Sequence, residues 1–289
     1  MLLCPACRQQ IDSFDAPCIA CGHAVPVRNG MKMLAPELQG EAIHFDPTAF
    51  ETIIAVEETS FWFQGRNELI AAMSKRYCPD SGRILEIGCG SGVVLSRLAR
   101  TFPGAGIVGT EAHIAGLDSA AGRVRDATLM QMDARDIPFR DEFDLVGIFD
   151  VLEHIDDDRQ VLGQILQSLK PGGMLIATVP QHQSLWSEAD DRAGHVRRYS
   201  GRELRDKIAE AGFEPIRQTS FVTLLFPAMI YARKFRSGAK RNERGSEFKI
   251  SRGTNSMLRH AMDLERGILK LGIDLPFGGS LIAVARKPS

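Results

Sequence analysis

Between Arg83 and Val179 the chain repeats one pattern: a short apolar run, a glycine-rich or polar turn, then an amphipathic stretch. The apolar runs are Ile84–Ile87, Gly106–Gly109, Thr128–Met132, Phe143–Phe149 and Met174–Val179. The stretches between them, Val93–Arg100, Ile114–Val124 and Asp157–Leu169, have helical spacing. Strands buried on both faces read as continuous apolar runs, and strands joined through helices lie parallel. The alternation therefore predicts an open, mostly parallel sheet with helices on both faces, a doubly wound α/β fold. In such a sheet ligands bind beyond the carboxyl ends of the strands. The segment LEIGCGSG (Leu85–Gly92) lies at the first such end.

The chain continues with a polar stretch, Gln181–Tyr199, and a helix, Arg202–Ala211, stopped by Gly212 as a C-cap would stop it. Glu214–Thr219 and Ser280–Ala285 read as two final strands, which brings the expected sheet to seven, with a mostly helical insertion before the last one. Upstream, Thr48–Tyr77 reads as helical, with an aromatic burst at FWFQGRN (Phe61–Asn67). The expected organisation is a small module at 1–40, a helical linker or lid at 41–80 and the α/β domain at 81–289, with its insertion at 220–276.

A chain of 289 residues buries enough apolar surface to fold without covalent staples. Yet Cys4, Cys7, Cys18 and Cys21 form two C-x-x-C knuckles ten residues apart. Two such knuckles complete a tetrahedron of thiolates around zinc, and a four-sulfur shell leaves no position for substrate, so the metal is expected to be structural. The other two of the six cysteines stand apart, which is not a disulfide framework, and the N-terminus lacks the pattern of a signal peptide. These readings lead to a cytoplasmic setting as the expectation. A formal net charge of −1 gives no global field for nucleic acid.

The residues after the quartet, CGHAVPVRNGMKMLAPE, with Ala24–Gly30 in the place of a short strand, resemble Trm112-like zinc ribbons. Members of that family are small partners that bind and activate methyltransferases. The rest of the chain bears on this. In LEIGCGSG a dinucleotide fingerprint would need glycine at position 93, where Val93 stands. Glu86 instead leads into Gly88, Cys89, Gly90 and Gly92 as E-x-G-x-G-x-G, which resembles the first motif of class I S-adenosylmethionine-dependent methyltransferases. Glu111 in IVGTE, the segment Met132-Asp133-Ala134, FDLVGIFDVLEHI and LKPGGMLIATVP fall in register with the later motifs, and the subgroup resembled is methyltransferase type 11/23. The resemblance implies a Rossmann-like fold that binds S-adenosyl-L-methionine. Glu111 would accept the ribose hydroxyls, Asp133 the adenine amino group with Met132 on the ring, and Ala134 and Asp150 would complete the site. FWFQGRN resembles the segment that covers the cofactor in this subgroup, with Trp62 in the cover and Arg66 placed to grip a carboxylate.

Methyl transfer needs alignment, exclusion of water and, for a protonated nucleophile, a base. Asp150, Glu153 and His154 sit within one helical turn and resemble the fourth-strand segment of ubiquinone-type O-methyltransferases, where a divalent cation is linked to these positions; their plain reading is that they cap the following helix and brace the loop. The segment LWSEADDRAGHVRRYS resembles the loop after the fifth strand that faces the transferred methyl. His195 is the expected general base, with Asp150 as a second catalytic candidate. His182, Trp186, Arg197, Arg198 and Tyr199 are the expected acceptor contacts. In the insertion, FVTLLFPAMIYARKF precedes a basic stretch, with eight Lys/Arg in 233–252, the pattern of a peripheral membrane contact. The expected activity is methyl transfer to O or N of a small-molecule or lipid-like acceptor. The competing readings are an RNA methyltransferase that grips RNA with its ribbon, and a non-catalytic cofactor-binding scaffold.

Overall fold

The computed structural model describes residues 1–40, 54–235 and 250–289. The linker at 41–53 and most of the basic stretch, 236–249, lie outside the described residues. Strands β1 (Leu2–Leu3) and β2 (Gln10–Ile11) form a small hairpin at the cysteine knuckles. Strands β3 (Val27–Arg28) and β4 (Met31–Met33) follow. Helix α1 (Phe61–Tyr77) leads into the alternating region: β5 (Arg83–Ile87), α2 (Val93–Thr101), β6 (Gly106–Glu111), α3 (Ile114–Arg123), β7 (Thr128–Gln131), β8 (Phe143–Phe149), α4 (Asp158–Ser168) and β9 (Leu169–Pro180). The chain ends with α5 (Glu188–Ala193), α6 (Gly201–Glu210), β10 (Glu214–Phe221), α7 (Phe226–Phe235), α8 (Arg252–Lys270) and β11 (Ser280–Arg286).

The main sheet has the order β10-β11-β9-β8-β5-β6-β7-β4-β3. The strands β4, β7, β6, β5, β8 and β9 run parallel, while β11, β10 and β3 are antiparallel to their neighbours. The expected α/β, Rossmann-like, mostly parallel sheet is present, but among the described residues it has nine strands, not seven. The two additional strands come from the cysteine module. β4 pairs with β7, Lys32 opposite Met130 and Met33 opposite Gln131. An exposed sheet edge offers unpaired N–H and C=O groups, and here the module's own backbone satisfies them. Within the helical reading of Thr48–Tyr77, residues 48–53 lie outside the described residues, 54–57 are helical, and α1 starts afresh at Phe61, where Ser60 caps it by accepting from the Trp62 N–H.

Alternation along the strands sorts side chains to two faces. Leu85, Ile87, Val146, Ile148, Leu175 and Ala177 meet α4 and α6 through Val161, Leu162, Ile165, Leu204 and Ile208. Phe14 and Leu34 of the cysteine module join that same core. Ile84, Leu145, Phe149 and Ile176 pack on the other face against Ile70, Leu95, Leu98, Leu117 and Leu269 of the helices α1, α2, α3 and α8. The strand order reverses at β5, whose neighbours β6 and β8 carry the chain to opposite sides, so a crevice opens above β5 and β8. No helix among the described residues is long and apolar enough to cross a membrane.

Candidate active site

A cavity of about 430 Å³ occupies this crevice, within the size range of small-molecule sites. Its floor is the loop after β5. Gly88, Gly90 and Gly92 all have left-handed backbone, with φ of 69°, 52° and 80°. Two of them are also closely approached. A Cβ on Gly88 would lie 2.3 Å from Val151 Cγ2, and one on Gly92 would lie 2.9 Å from Ala120 Cβ. Only glycine meets both demands. Gly92 is the left-handed cap of α2 and lies outside the wall, whereas Glu86, Gly88, Cys89 and Gly90 line it. Burial pushes the Glu86 carboxyl well above the ordinary range, with Arg66 opposing and Glu111 adding to the shift.

Glu111 ends β6 and ties down the loop. Its carboxylate accepts from the Gly90 N–H at 3.0 Å and from the His113 N–H at 3.1 Å. A carboxylate has about four acceptor positions, so these bonds leave room for ligand hydroxyls. Met132, Asp133 and Ala134 follow β7 into the wall, as does Leu38 from the end of the cysteine module. Arg135 grips Asp133 bidentately, Nε to Oδ1 at 3.0 Å and Nη2 to Oδ2 at 2.7 Å. The fully buried Gln131 donates to the Ala35 carbonyl at 2.6 Å and accepts from the Ala35 N–H at 3.0 Å. The module is thereby clamped one residue before Met132.

Arg66 projects from α1 to the same crevice and is buried. It forms an ion pair with Asp150 and donates to the Phe149 carbonyl at 3.0 Å. Trp62 covers the guanidinium, 5.3 Å from its ring centroid, while Phe63 faces the cavity. Asp150 lines the cavity with φ of 54°, a strained value for a side chain other than glycine. Glu57 and Ser91 also line it. The Ser91 hydroxyl donates to Glu57 at 2.6 Å, and Arg123 donates to the same carboxylate at 2.6 Å. Nothing in the sequence pattern marked Glu57 or Leu38, because each reaches the site only through packing.

The expected acceptor residues are not all in the cavity wall. Trp186 donates to Asp191 at 2.9 Å. Tyr199 is fully buried and donates to Asp158 at 2.6 Å, a carboxylate that also pairs with Arg197 and Lys207 at 2.6 Å each. Burial raises Asp158, but those donors outweigh it and hold its carboxyl below the ordinary value. Arg198 pairs with Asp190 at 2.7 Å, and the His195 Nδ1 lies 3.0 Å from the same carboxylate. His182, with φ of 66°, packs on Phe226, and burial followed by Arg198 lowers its pKa. Among the described residues the wall takes His154 and leaves the five expected acceptor contacts and His195 outside.

The cysteine quartet can be tested for metal by geometry. Cys4 and Cys21 bring their sulfurs to 3.7 Å, as do Cys7 and Cys18. Four thiolates about 2.3 Å from a tetrahedral zinc stand about 3.8 Å apart. The four residues fit such an ion.

Known proteins place this architecture. Residues 59–218 match the profile of a family described as a methyltransferase domain. The ubiquinone biosynthesis O-methyltransferase of Ruegeria pomeroyi is 30% identical over 159 residues, 48% of this chain and 63% of that protein. Trans-aconitate 2-methyltransferase of Variovorax paradoxus is 31% identical over 106 residues, 36% of this chain and 41% of that protein. Across four such curated relatives the chain spans between 41 and 65% of their length. Among solved structures, the [4+2]-cyclase SpnF shares the fold with a TM-score of 0.54 at 21% identity, covering 78% of this chain and 83% of that one. The profile spans more than half of the chain, from the start of α1 to β10, and includes the glycine loop and the strand ends around the cavity. On this evidence of sequence and architecture together, the chain belongs to the methyltransferase-domain family.

Proposed function

We propose that this protein transfers a methyl group from S-adenosyl-L-methionine to O or N of a small-molecule or lipid-like acceptor. The observation that carries the reading is the anchored glycine loop: the left-handed Gly88 and Gly90 line the floor of a cavity, and Glu111 is bonded to the Gly90 amide. That arrangement lets a ligand approach the backbone closely while a carboxylate waits for its hydroxyls. Glu86, Gly88, Cys89, Gly90, Glu111, Met132, Asp133 and Ala134 would hold the nucleoside, with Arg66 and Asp150 at its other end. When bound, the cofactor supplies an electrophilic methyl on a sulfonium.

The cysteine module would be a Trm112-like ribbon with a structural zinc, fused in the chain of the enzyme it supports. The sulfur spacing and the strand pairing with β7 favour this. A lipid-like acceptor and peripheral contact with a cytoplasmic membrane surface draw support from the insertion, where Leu224, Tyr231, Met257, Leu264 and Leu271 are exposed.

The test has two parts. Calorimetry with S-adenosylmethionine and its demethylated product should give one site per chain. Radiolabelled cofactor incubated with the protein and a fractionated lysate should then label a small-molecule or lipid fraction. Label confined to RNA would replace this acceptor class, and absence of cofactor binding would remove the reading.

A further inference from the structure

We infer that the outward face of α7, with Leu224 in the turn that leads into it, seats this protein on an anionic bilayer at the cavity end of the sheet; this deepens the methyl-transfer reading above and rests on it for the acceptor's route. From Leu224 to Tyr231 the sequence LLFPAMIY holds no charged or amide side chain. One side of that run is packed inside. Leu225 joins the core beneath α1 and α8, the Phe226 ring centroid stands 5.4 Å from that of His182, and a Cβ on Gly279 would lie 3.0 Å from the Met229 sulfur. The other side is in water. Pro227, Ala228 and Tyr231 share one flank of the helix and are exposed, Tyr231 at 62%, and Leu224 before them is 45% exposed. A helix that is apolar all round calls for a cover on both sides.

The fold holds this face out. Phe221 pairs with Ser280 and Ser280 with Pro180, so α7 leaves the sheet at the carboxyl end of β10, the end at which the cavity lies. Val222 turns the chain there with φ of 62°, a genuine outlier for a β-branched side chain. The buried Glu265 of α8 fixes the turn: it accepts from the N–H groups of Val222, Thr223 and Leu224 at 2.5, 2.7 and 2.9 Å. The Thr223 hydroxyl donates to the Phe277 carbonyl at 2.5 Å. Phe277 is half exposed, 5.8 Å from the Phe226 ring, and widens the apolar surface. Exposed apolar surface of this extent marks an interaction site.

Charge chooses the partner. Directly after the apolar run, eight Lys/Arg and two acidic residues fall in 233–252, in a chain whose formal net charge is −1. Residues 236–249 of that stretch lie outside the described residues. The basic character is concentrated in this one segment. A second copy of the chain would set that positive charge against itself. Nucleic acid would answer the charge and leave the apolar face in water. An anionic lipid surface answers both: its interface covers Leu224, Pro227, Ala228 and Tyr231, and its headgroups attract the Lys/Arg that follow. Tyr231 stands between the apolar and basic parts, and tyrosine is enriched at that boundary of a membrane. On the inner side of α7, Phe226 touches His182 of the loop after β9. One helix thus joins the lipid surface to the loop expected to meet the acceptor.

The test is flotation of the full chain with vesicles of phosphatidylcholine, alone or mixed equally with phosphatidylglycerol. The parent should float with the mixed vesicles, stay behind with phosphatidylcholine alone, and be released as salt rises. Leu224→Glu and Tyr231→Glu should each lower the partition coefficient about tenfold, through lost apolar burial, with melting temperature and cofactor affinity as in the parent. A Lys/Arg near an anionic surface contributes about fivefold, so Arg233→Gln combined with Lys234→Gln should lose about 25-fold at low ionic strength. If a glutamate variant melts early, this basic-residue variant decides in its place. A parent that does not float, that floats equally on both vesicles, or that floats unchanged after both glutamate substitutions overturns the inference. Flotation lost in Leu264→Glu on α8 but kept in Tyr231→Glu overturns it too, by moving the contact to α8. So does RNA that retains the chain where vesicles do not, or a dimer that Tyr231→Glu splits in a chain that does not float. Calorimetry with S-adenosylmethionine keeps the two readings apart. A chain that floats but binds no cofactor loses the methyl-transfer reading and keeps the surface; one that binds cofactor but does not float loses the surface alone.

Discussion

Gln131→Leu tests whether the cysteine module is a structural wall of the cofactor cavity. Gln131 is fully buried at the end of β7, and its amide bonds both the N–H and the C=O of Ala35, itself buried. It continues the β4–β7 ladder by one rung with a side chain. Leucine keeps the volume and removes both bonds. Each backbone group left unsatisfied costs about 1–3 kcal/mol, so the pair costs about 2–6 kcal/mol. At about 2–4 °C per kcal/mol for a large domain, the melting temperature should fall by roughly 4–24 °C. The loss should be local before it is global. Hydrogen exchange should show the Leu34 N–H, which bonds the Gln131 carbonyl at 2.8 Å, losing protection while β5 and β6 keep theirs. Because Leu38 lines the cavity three residues beyond Ala35, cofactor affinity should weaken in calorimetry. A Gln131→Leu protein that melts within 1 °C of the parent, protects Leu34 equally and binds cofactor equally would refute the reasoning.

Cys18→Ser should abolish the zinc content measured by atomic absorption and weaken cofactor binding; full affinity in a metal-free protein would uncouple the module from the cavity. Glu111→Ala should cost roughly 2 kcal/mol or more of cofactor binding, about 30-fold in Kd, since charge-assisted bonds and the anchor on Gly90 are lost together; an unchanged calorimetric Kd would remove Glu111 from the site. Gly88→Ala places a Cβ 2.3 Å from Val151 at φ of 69°, so it should destabilise by about 1–3 kcal/mol, read as a lowered melting temperature and weaker cofactor binding. Glu153→Gln should change how stability depends on pH. With its folded pKa raised by burial, Glu153 contributes fully below its unfolded pKa, and that contribution is lost as pH rises toward the folded value. The glutamine variant lacks this loss, so denaturant melts should show it gaining on the parent by about 1.4 kcal/mol per pH unit across that window; parallel curves for the two proteins would show that Glu153 is ionised when folded.

The elements legible in the sequence are those fixed by nearest neighbours along the chain. The apolar runs at Ile84–Ile87 and Phe143–Phe149 fall inside β5 and β8, because a strand buried on both faces has no choice of period. The glycine loop was equally legible: Gly88 and Gly90 line the cavity, and each needs a backbone conformation that only glycine adopts readily. The histidines were harder. His154 follows Glu153 and His195 lies between Gly194 and Val196, and nothing local says which ring faces a ligand.

What sequence alone determined, then, is the alternating core, the glycine loop and a cysteine spacing suited to a tetrahedral ion. Tertiary structure decided the rest through contacts between residues far apart in the chain. It gave β4 a partner in β7, because a sheet edge accepts whichever backbone packing presents to it. It turned Arg66 onto Asp150 and the Phe149 carbonyl, since a buried guanidinium takes the nearest acceptors. It set His154 in the cavity wall and braced it with His195, held in turn by Asp190, a choice made by the crossing of two loops some forty residues apart.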